Sequence, residues 1–271
     1  MTSPSTTAAP ADPSTPTTPS SPTVLARTLR AEWQRLWTVR TTWLFAAAAL
    51  LGTTAMALLA GHDARGVGQT RPGETVWEGA QIMALLGLFV LLATAAVSTT
   101  ADHATGGIVP TLQWTPRRAV LLTARTGVVA VTTTVLGVAL ALLAGVVLHA
   151  MAGQLALSVD EGTDTLLAVA YVDASGALLA IGLGLLLRST AGAVVAALAL
   201  MLVLPLLLGN FPFAWAQQVA DVLPGTSAIQ LVVGEGPAGH STADARMILA
   251  GWALAALALG WARLLRSDAD R

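Results

Sequence analysis

The chain has no cysteine and no lysine, a single tyrosine, a single asparagine, and charge on only 11% of its 271 residues. Without cysteine there are no disulfides, no thiolate metal sites and no thiol nucleophile. Without lysine there can be no G-x-x-x-x-G-K-[ST] loop, whose Lys reaches the terminal phosphates of a nucleotide. Scarce charge excludes an ordinary soluble domain, in which about a quarter of residues are charged. The net charge of −1 is sorted along the chain rather than pooled into a basic patch, so no nucleic-acid partner is expected. All fourteen basic residues are Arg, a skew that suggests GC-rich bacterial coding.

What the chain has in abundance is apolar sequence, 55% of all residues. Six uncharged or nearly uncharged runs lie near 42–60, 79–98, 126–148, 165–187, 190–208 and 247–265. Each approaches the ~20 residues needed to cross a ~30 Å hydrocarbon core as a helix. Their Ala/Leu richness without strict alternation favours helices over strands. The expected fold is therefore an all-α integral membrane protein, a six-helix domain over 42–266 followed by a short tail, 267–271. Pro205 is expected to kink the fifth span near its end.

Ahead of the first span the composition changes twice. Residues 1–23 are almost wholly Ser, Thr, Pro and Ala, too polar to offset ordering entropy, and read as a disordered tail. Residues 24–41 read as an amphipathic helix lying in the membrane interface. At 100° per residue Leu25, Leu29, Trp33, Leu36 and Trp37 fall on one face, with Arg27, Arg30, Gln34, Arg35 and Thr38 opposite. Glu32 points into the apolar face, where a carboxylate needs a partner in this helix or on another chain.

Arginine asymmetry sets the expected orientation. With both termini cytoplasmic, eleven of the fourteen arginines lie inside, and only Arg65, Arg71 and Arg246 lie outside. Two longer connections stand out. The inner segment 99–125 is expected to form one or two short helices with a stop at Thr115-Pro116. The outer segment 210–246 is expected to form short helices broken at Pro224-Gly225.

EWQRLWTVRTTW before the first span resembles the helix leading into the membrane in bacterial ABC-2 type permeases. Glu32, Trp33, Arg35, Leu36, Arg40, Thr41, Thr42 and Trp43 carry the likeness. After the second span Asp102, Gly106, Thr111, Leu112, Pro116, Arg117, Arg118, Leu122, Ala124 and Arg125 are similar to that family's coupling segment. GLGLLLRSTAGAVVA at 182–196 resembles its tight inner turn, and VLPGTSAIQLV its outer Leu-Pro segment. The chain departs from the pattern at Asp102, where Glu is commoner, and at Ala104, where a basic residue is frequent.

The resemblance implies the permease subunit of a bacterial ABC transporter, an exporter in the cell membrane. Asp102, Gly106, Thr111, Leu112, Pro116, Arg117 and Arg118 would then couple to a separate ATP-binding cassette subunit. Glu32, Trp33, Arg35 and Leu36 would lie beside that segment, and a second permease copy, identical or not, would complete the pathway. ATP would sit on the partner, with no cofactor held by this chain and no enzyme site of its own. Membrane lipid is the remaining expected partner.

Asp173, inside the fourth run, is the sharpest polar outlier. An Asp at mid-helix costs about 2.5–3.5 kcal/mol on insertion scales. It reads either as a pathway or proton-linked residue or as a carboxyl hydrogen-bonded to Tyr171, Ser175 or another helix. Its place about nine residues from the outer end would lower the cost. DASG also resembles the Gly-x-Ser-Gly motif of rhomboid proteases, but the sixth run has no His to serve as base. Trp43, Trp77, Trp215 and Trp261 read as interface belt residues. Two other functions stay open: an ion-coupled secondary transporter using Asp173, and a non-transporting anchor or regulatory subunit.

Overall fold

A computed structural model describes residues 21–67, 75–105 and 118–266. Among them the chain is helical almost throughout, and six helices are long and apolar enough to cross a membrane: Arg40–Arg65, Val76–Ala101, Ala119–Met151, Val159–Leu187, Thr190–Gly209 and Thr242–Arg266. Each contains one of the runs read from the sequence and extends it at one end or both.

The first helix, α1 (Ser21–Thr38), begins three residues before the expected position, with Pro22 in a first turn that needs no N–H from it. It also ends sooner. The Thr38 hydroxyl donates to Arg35 O (3.0 Å) and the Trp43 indole to Trp37 O (2.9 Å), so side chains satisfy the last carbonyls of α1. Arg40, Thr41 and Thr42 therefore open the next helix, α2 (Arg40–Val67), rather than closing the first.

Two long helices follow, α3 (Val76–Thr105) and α4 (Arg118–Met151). They take up both ends of the segment 99–125, which the sequence reading gave to short helices. The hydroxyls that made this stretch look like a loop are satisfied inside the helix. Thr99 and Thr100 donate to the carbonyls four residues back, both at 2.8 Å, and Thr132 and Thr133 do the same in α4. Thr115-Pro116, the expected stop, lies outside the described residues.

Next comes α5 (Val159–Leu187), the hub of the bundle, which packs against α3, α4, α6 (Thr190–Leu198), α9 (Pro224–Val233) and α10 (Thr242–Arg266). Ser158 caps its start, with Asp160 and Glu161 favourably placed in the first turn. Its end is a two-residue turn. Arg188 closes the helix in the left-handed region (φ 54°), and Ser189 caps α6 by accepting from Gly192 N at 3.2 Å. Side-chain-free backbone allows the closest crossing, where Gly182 of α5 meets the Ala256–Leu257 backbone of α10 and Gly260 lies against Gly182 O.

The fifth span departs from a plain α-helix. After α6 it passes through a π-helical turn (Ala199–Val203) into α7 (Leu204–Gly209), and Leu204 N–H bonds Ala199 O, five residues back. Pro205 has no N–H for Met201 O, which the α-helical pattern would require. Gly225 of α9 packs directly on that carbonyl and on Pro205, in space that a Cβ would fill. The 210–246 connection holds two short helices, α8 (Ala214–Asp221) and α9. The break between them falls before Pro224, which starts α9 instead of interrupting a helix. The Trp252 indole ties the break to α10 by donating to Val222 O at 2.8 Å.

Trp77 corrects the belt reading. It is buried, 5% exposed, with its ring against Gly162 and Gly145 and its N–H donating to Ser158 O at 2.6 Å. Trp43 and Trp215, at 58% and 60%, are exposed as a belt residue would be.

The crossing of α5 and α10 generates a prediction. Gly182→Val places branched carbon in the Ala256–Leu257 backbone, a clash that costs at least the ~1–3 kcal/mol typical of overpacking. The expected result is loss of monodisperse protein in detergent. Gly251→Ala, also in α10 but with nothing within 4 Å of its added Cβ, should keep the wild-type thermal midpoint.

Candidate functional site

Among the described residues, those singled out in the entry helix and at the head of α4 lie at one end of the bundle. The C-terminal ends of α3, α5 and α10 and the N-terminal ends of α4 and α6 meet there. The Thr100 and Thr190 hydroxyls join at 2.8 Å, Gly184 packs against Thr99 and Thr100, and Arg263 donates to Leu186 O. We call this the arginine-rich end.

Glu32 is its centre. Arg125 of α4 grips the carboxylate with two nitrogens, Nε to Oε2 and Nη2 to Oε1, both at 3.1 Å. Arg35, one turn further along α1, adds a weaker contact at 3.5 Å. The side chains are mostly buried, Arg125 at 5% exposure and Glu32 at 11%, with Arg35 at 31%. Two parallel N–H···O bonds match the planar guanidinium to the carboxylate in a way that an ammonium could not.

This geometry answers why an acid stands on the apolar face of α1. Leu36 (6% exposed) lies on that same face and is buried with it, because the face docks on α4. The partner is a helix of the same chain as well as Arg35 in α1. Trp33 sits to one side of the docked stripe and stays 48% exposed. Beside the ion pair a small hollow is lined by Glu32, Arg35, Thr41, Thr42, Ser98 and Ala101, where α1, α2 and α3 converge.

Gly106, Thr111, Leu112, Pro116 and Arg117 lie outside the described residues. Asp102 falls in the last turn of α3 and Arg118 is the first residue of α4; only their backbone is described. Leu122, Ala124 and Arg125 form the buried face of the first turns of α4. Sequence reading placed Arg125 in the family-like segment but did not pair it with Glu32. The signal was present in an acid on the apolar face of one helix and an Arg among apolar neighbours at the head of another.

Asp173 lies apart from this cluster. It stands 14 residues after Val159 and 14 before Leu187, at the midpoint of α5 rather than near one end. It is 3% exposed, and its carboxylate presses on the bare Cα of Gly137 in α4. Oδ2 has no hydrogen-bond partner among the described residues. Tyr171, one partner expected from sequence, instead donates to Arg246 O at 2.8 Å. His149 makes a ring-nitrogen hydrogen bond with Leu155 O at 3.1 Å.

No protein-family model matches the chain, and no curated protein matches it significantly in sequence.

Truncating one member of a buried ion pair strands the other, at a typical cost of about 3–5 kcal/mol. Arg125→Ala and Glu32→Ala should each destabilise the protein in this range or somewhat below it, since Glu32 keeps some solvent contact. The double variant should cost clearly less than the sum, measured as a cycle of detergent unfolding midpoints. Exchanging the pair (Glu32→Arg with Arg125→Glu) should restore only part of the loss, because Arg35 would then face a like charge.

Proposed function

We propose that this chain is the membrane-spanning subunit of an ABC exporter of the ABC-2 type, worked from the cytoplasmic side by a separate ATP-binding subunit. The observation that carries the reading is the Glu32–Arg125 pair. Arg125 lies two turns into the helix that leaves the segment 106–117, and Glu32 lies on the helix that leads into the first span. A push delivered to that segment would pass directly into α4, and through the ion pair into α1 and α2.

In this reading the arginine-rich end is cytoplasmic, as the arginine distribution favours, and α1 lies along the inner membrane interface. The missing lysine supports an ATPase on another polypeptide. Asp102, Gly106, Thr111, Leu112, Pro116, Arg117 and Arg118 would couple to that subunit. A second permease copy would supply the other wall of the pathway, in a bacterial cell membrane.

An ion-coupled secondary transporter is the second reading, and Asp173 favours it. An unpaired carboxylate at the centre of a spanning helix is a default functional candidate.

Affinity capture from native membranes, followed by labelling with a photoreactive ATP analogue, tests the first reading. A labelled polypeptide should co-purify with the wild-type chain and be lost from Arg117→Glu/Arg118→Glu, with membrane insertion unchanged. Equal recovery in the variant would remove the docking role. Asp173→Asn separates the two readings. If ATP drives transport, the variant should retain ATP-stimulated movement in vesicles. If a proton gradient drives it, that variant should lose gradient-dependent transport while still folding.

A further inference from the structure

One flank of α1, beside the stripe docked on α4, carries a feature that the ion pair does not use. Trp33, Trp37 and Trp43 line a hollow together with Gln34 and Thr38. The Trp33 and Trp37 rings lie 5.7 Å apart at 61°, and those of Trp37 and Trp43 5.2 Å apart at 57°. Rings at such angles do not cover one another's faces as a parallel stack would. The Trp43 ring is fixed by its hydrogen bond to Trp37 O (2.9 Å), while Trp33 and Trp43 remain half exposed. An edge-to-face pair uses one face of a ring, but the half-exposed Trp33 and Trp43 keep indole surface on the hollow, and such surface takes an ammonium group. Arg30, from the polar set of the wheel, stands one turn before Gln34 at the polar edge of this flank, exposed, where its guanidinium suits a phosphate.

Trp43 is also the end wall of a second hollow, an apolar groove between α2 and α4 floored by Leu91 of α3. Ala46, Ala47 and Ala139 leave room for it, and no charged or hydrogen-bonding side chain lines it apart from the indole. Both helices are spanning segments, so the groove lies at acyl-chain depth. A cation-seeking surface thus adjoins an uncharged slot through one shared indole.

We propose that this is a binding site for a phospholipid with an amine-bearing headgroup. The ammonium would sit against Trp33, Trp37 and Trp43, the phosphate near Arg30, and one acyl chain in the groove. A headgroup without an ammonium, such as the neutral glycerol of phosphatidylglycerol, would forgo the cation–π attraction. The site does not depend on the proposed transport function.

The test is native mass spectrometry of the full chain, purified and exchanged into detergent with phosphatidylethanolamine or phosphatidylglycerol of matched acyl chains. Phosphatidylethanolamine should be retained about tenfold more tightly. Trp33→Ala/Trp43→Ala should bring it down to the phosphatidylglycerol level, with Trp33→Phe in between. Ala139→Leu, which fills the groove, should weaken both lipids together. Equal retention of the two lipids by the wild type would overturn the proposal, as would unchanged selectivity in a folded tryptophan variant. Should the tryptophan variants fail to fold, the wild-type comparison and Ala139→Leu decide it. The chain lacks cysteine, so Leu50→Cys introduces a lone thiol on the groove. Near-complete disulfide formation between copies in the membrane would assign the groove to a second copy instead.

Discussion

A hydrocarbon slab offers nothing to hydrogen-bond with, and most of this structure follows from that single constraint. Every backbone N–H and C=O inside it must be satisfied within the chain, which leaves helices as the form for such apolar sequence. The same requirement disposes of the side chains. Threonines in α3 and α4 turn their hydroxyls back to their own helix. The Trp77 indole finds Ser158 O, and the Trp252 indole finds the carbonyl left at the break before α9. Where Pro205 withdraws an N–H, the chain changes to a π turn and lays Gly225 over the carbonyl concerned. Close approach of backbone carbonyl and Cα is a weak interaction, but it shields the orphaned group.

Glu32 and Arg125 show the constraint acting on charge. Either alone on a buried face would be prohibitive; held by two parallel bonds they become the clasp between α1 and the bundle. The pair does little to explain raw stability, since apolar residues of like volume would pack there at no desolvation cost. What it provides is a specified register. The fork of Arg125 meets the carboxylate in one arrangement only, so α1 is set at one height along α4. A purely apolar contact could slide, whereas the bidentate pair is directional.

The spans were legible because hydropathy and length are nearly sufficient in this environment, and each apolar run became a helix. Their ends were less so. Thr99, Thr100 and Arg125 read as loop residues by polarity, yet belong to long helices once i−4 back-bonding and pairing are counted. Trp77 read as a belt residue from its place at a helix end, but Gly145 and Gly162 open a slot for it across two other helices, a contact that periodicity in one segment cannot reveal. Glu32 was legible as a problem and not as a solution. The wheel showed an acid on the wrong face, whereas its partner lies 93 residues away in sequence. Pairings at that distance are set by the fold.

Asp173 is the place where the constraint is not met, which makes it informative. Its carboxylate occupies the space beside Gly137 that a side chain would otherwise take, so the two helices are shaped around it. An accidental polar residue on a membrane helix would more cheaply face a hydroxyl, and α4 offers Thr133 and Thr134 one turn from Gly137, each already bonded to its own backbone. Oδ2 instead lies against bare Cα, beside an apolar core. Space is made for the group at Gly137 and no partner is supplied among the described residues, so the packing of the two helices is built around Asp173. A helix shift that brought a donor to Asp173 would be favoured by the bond it forms.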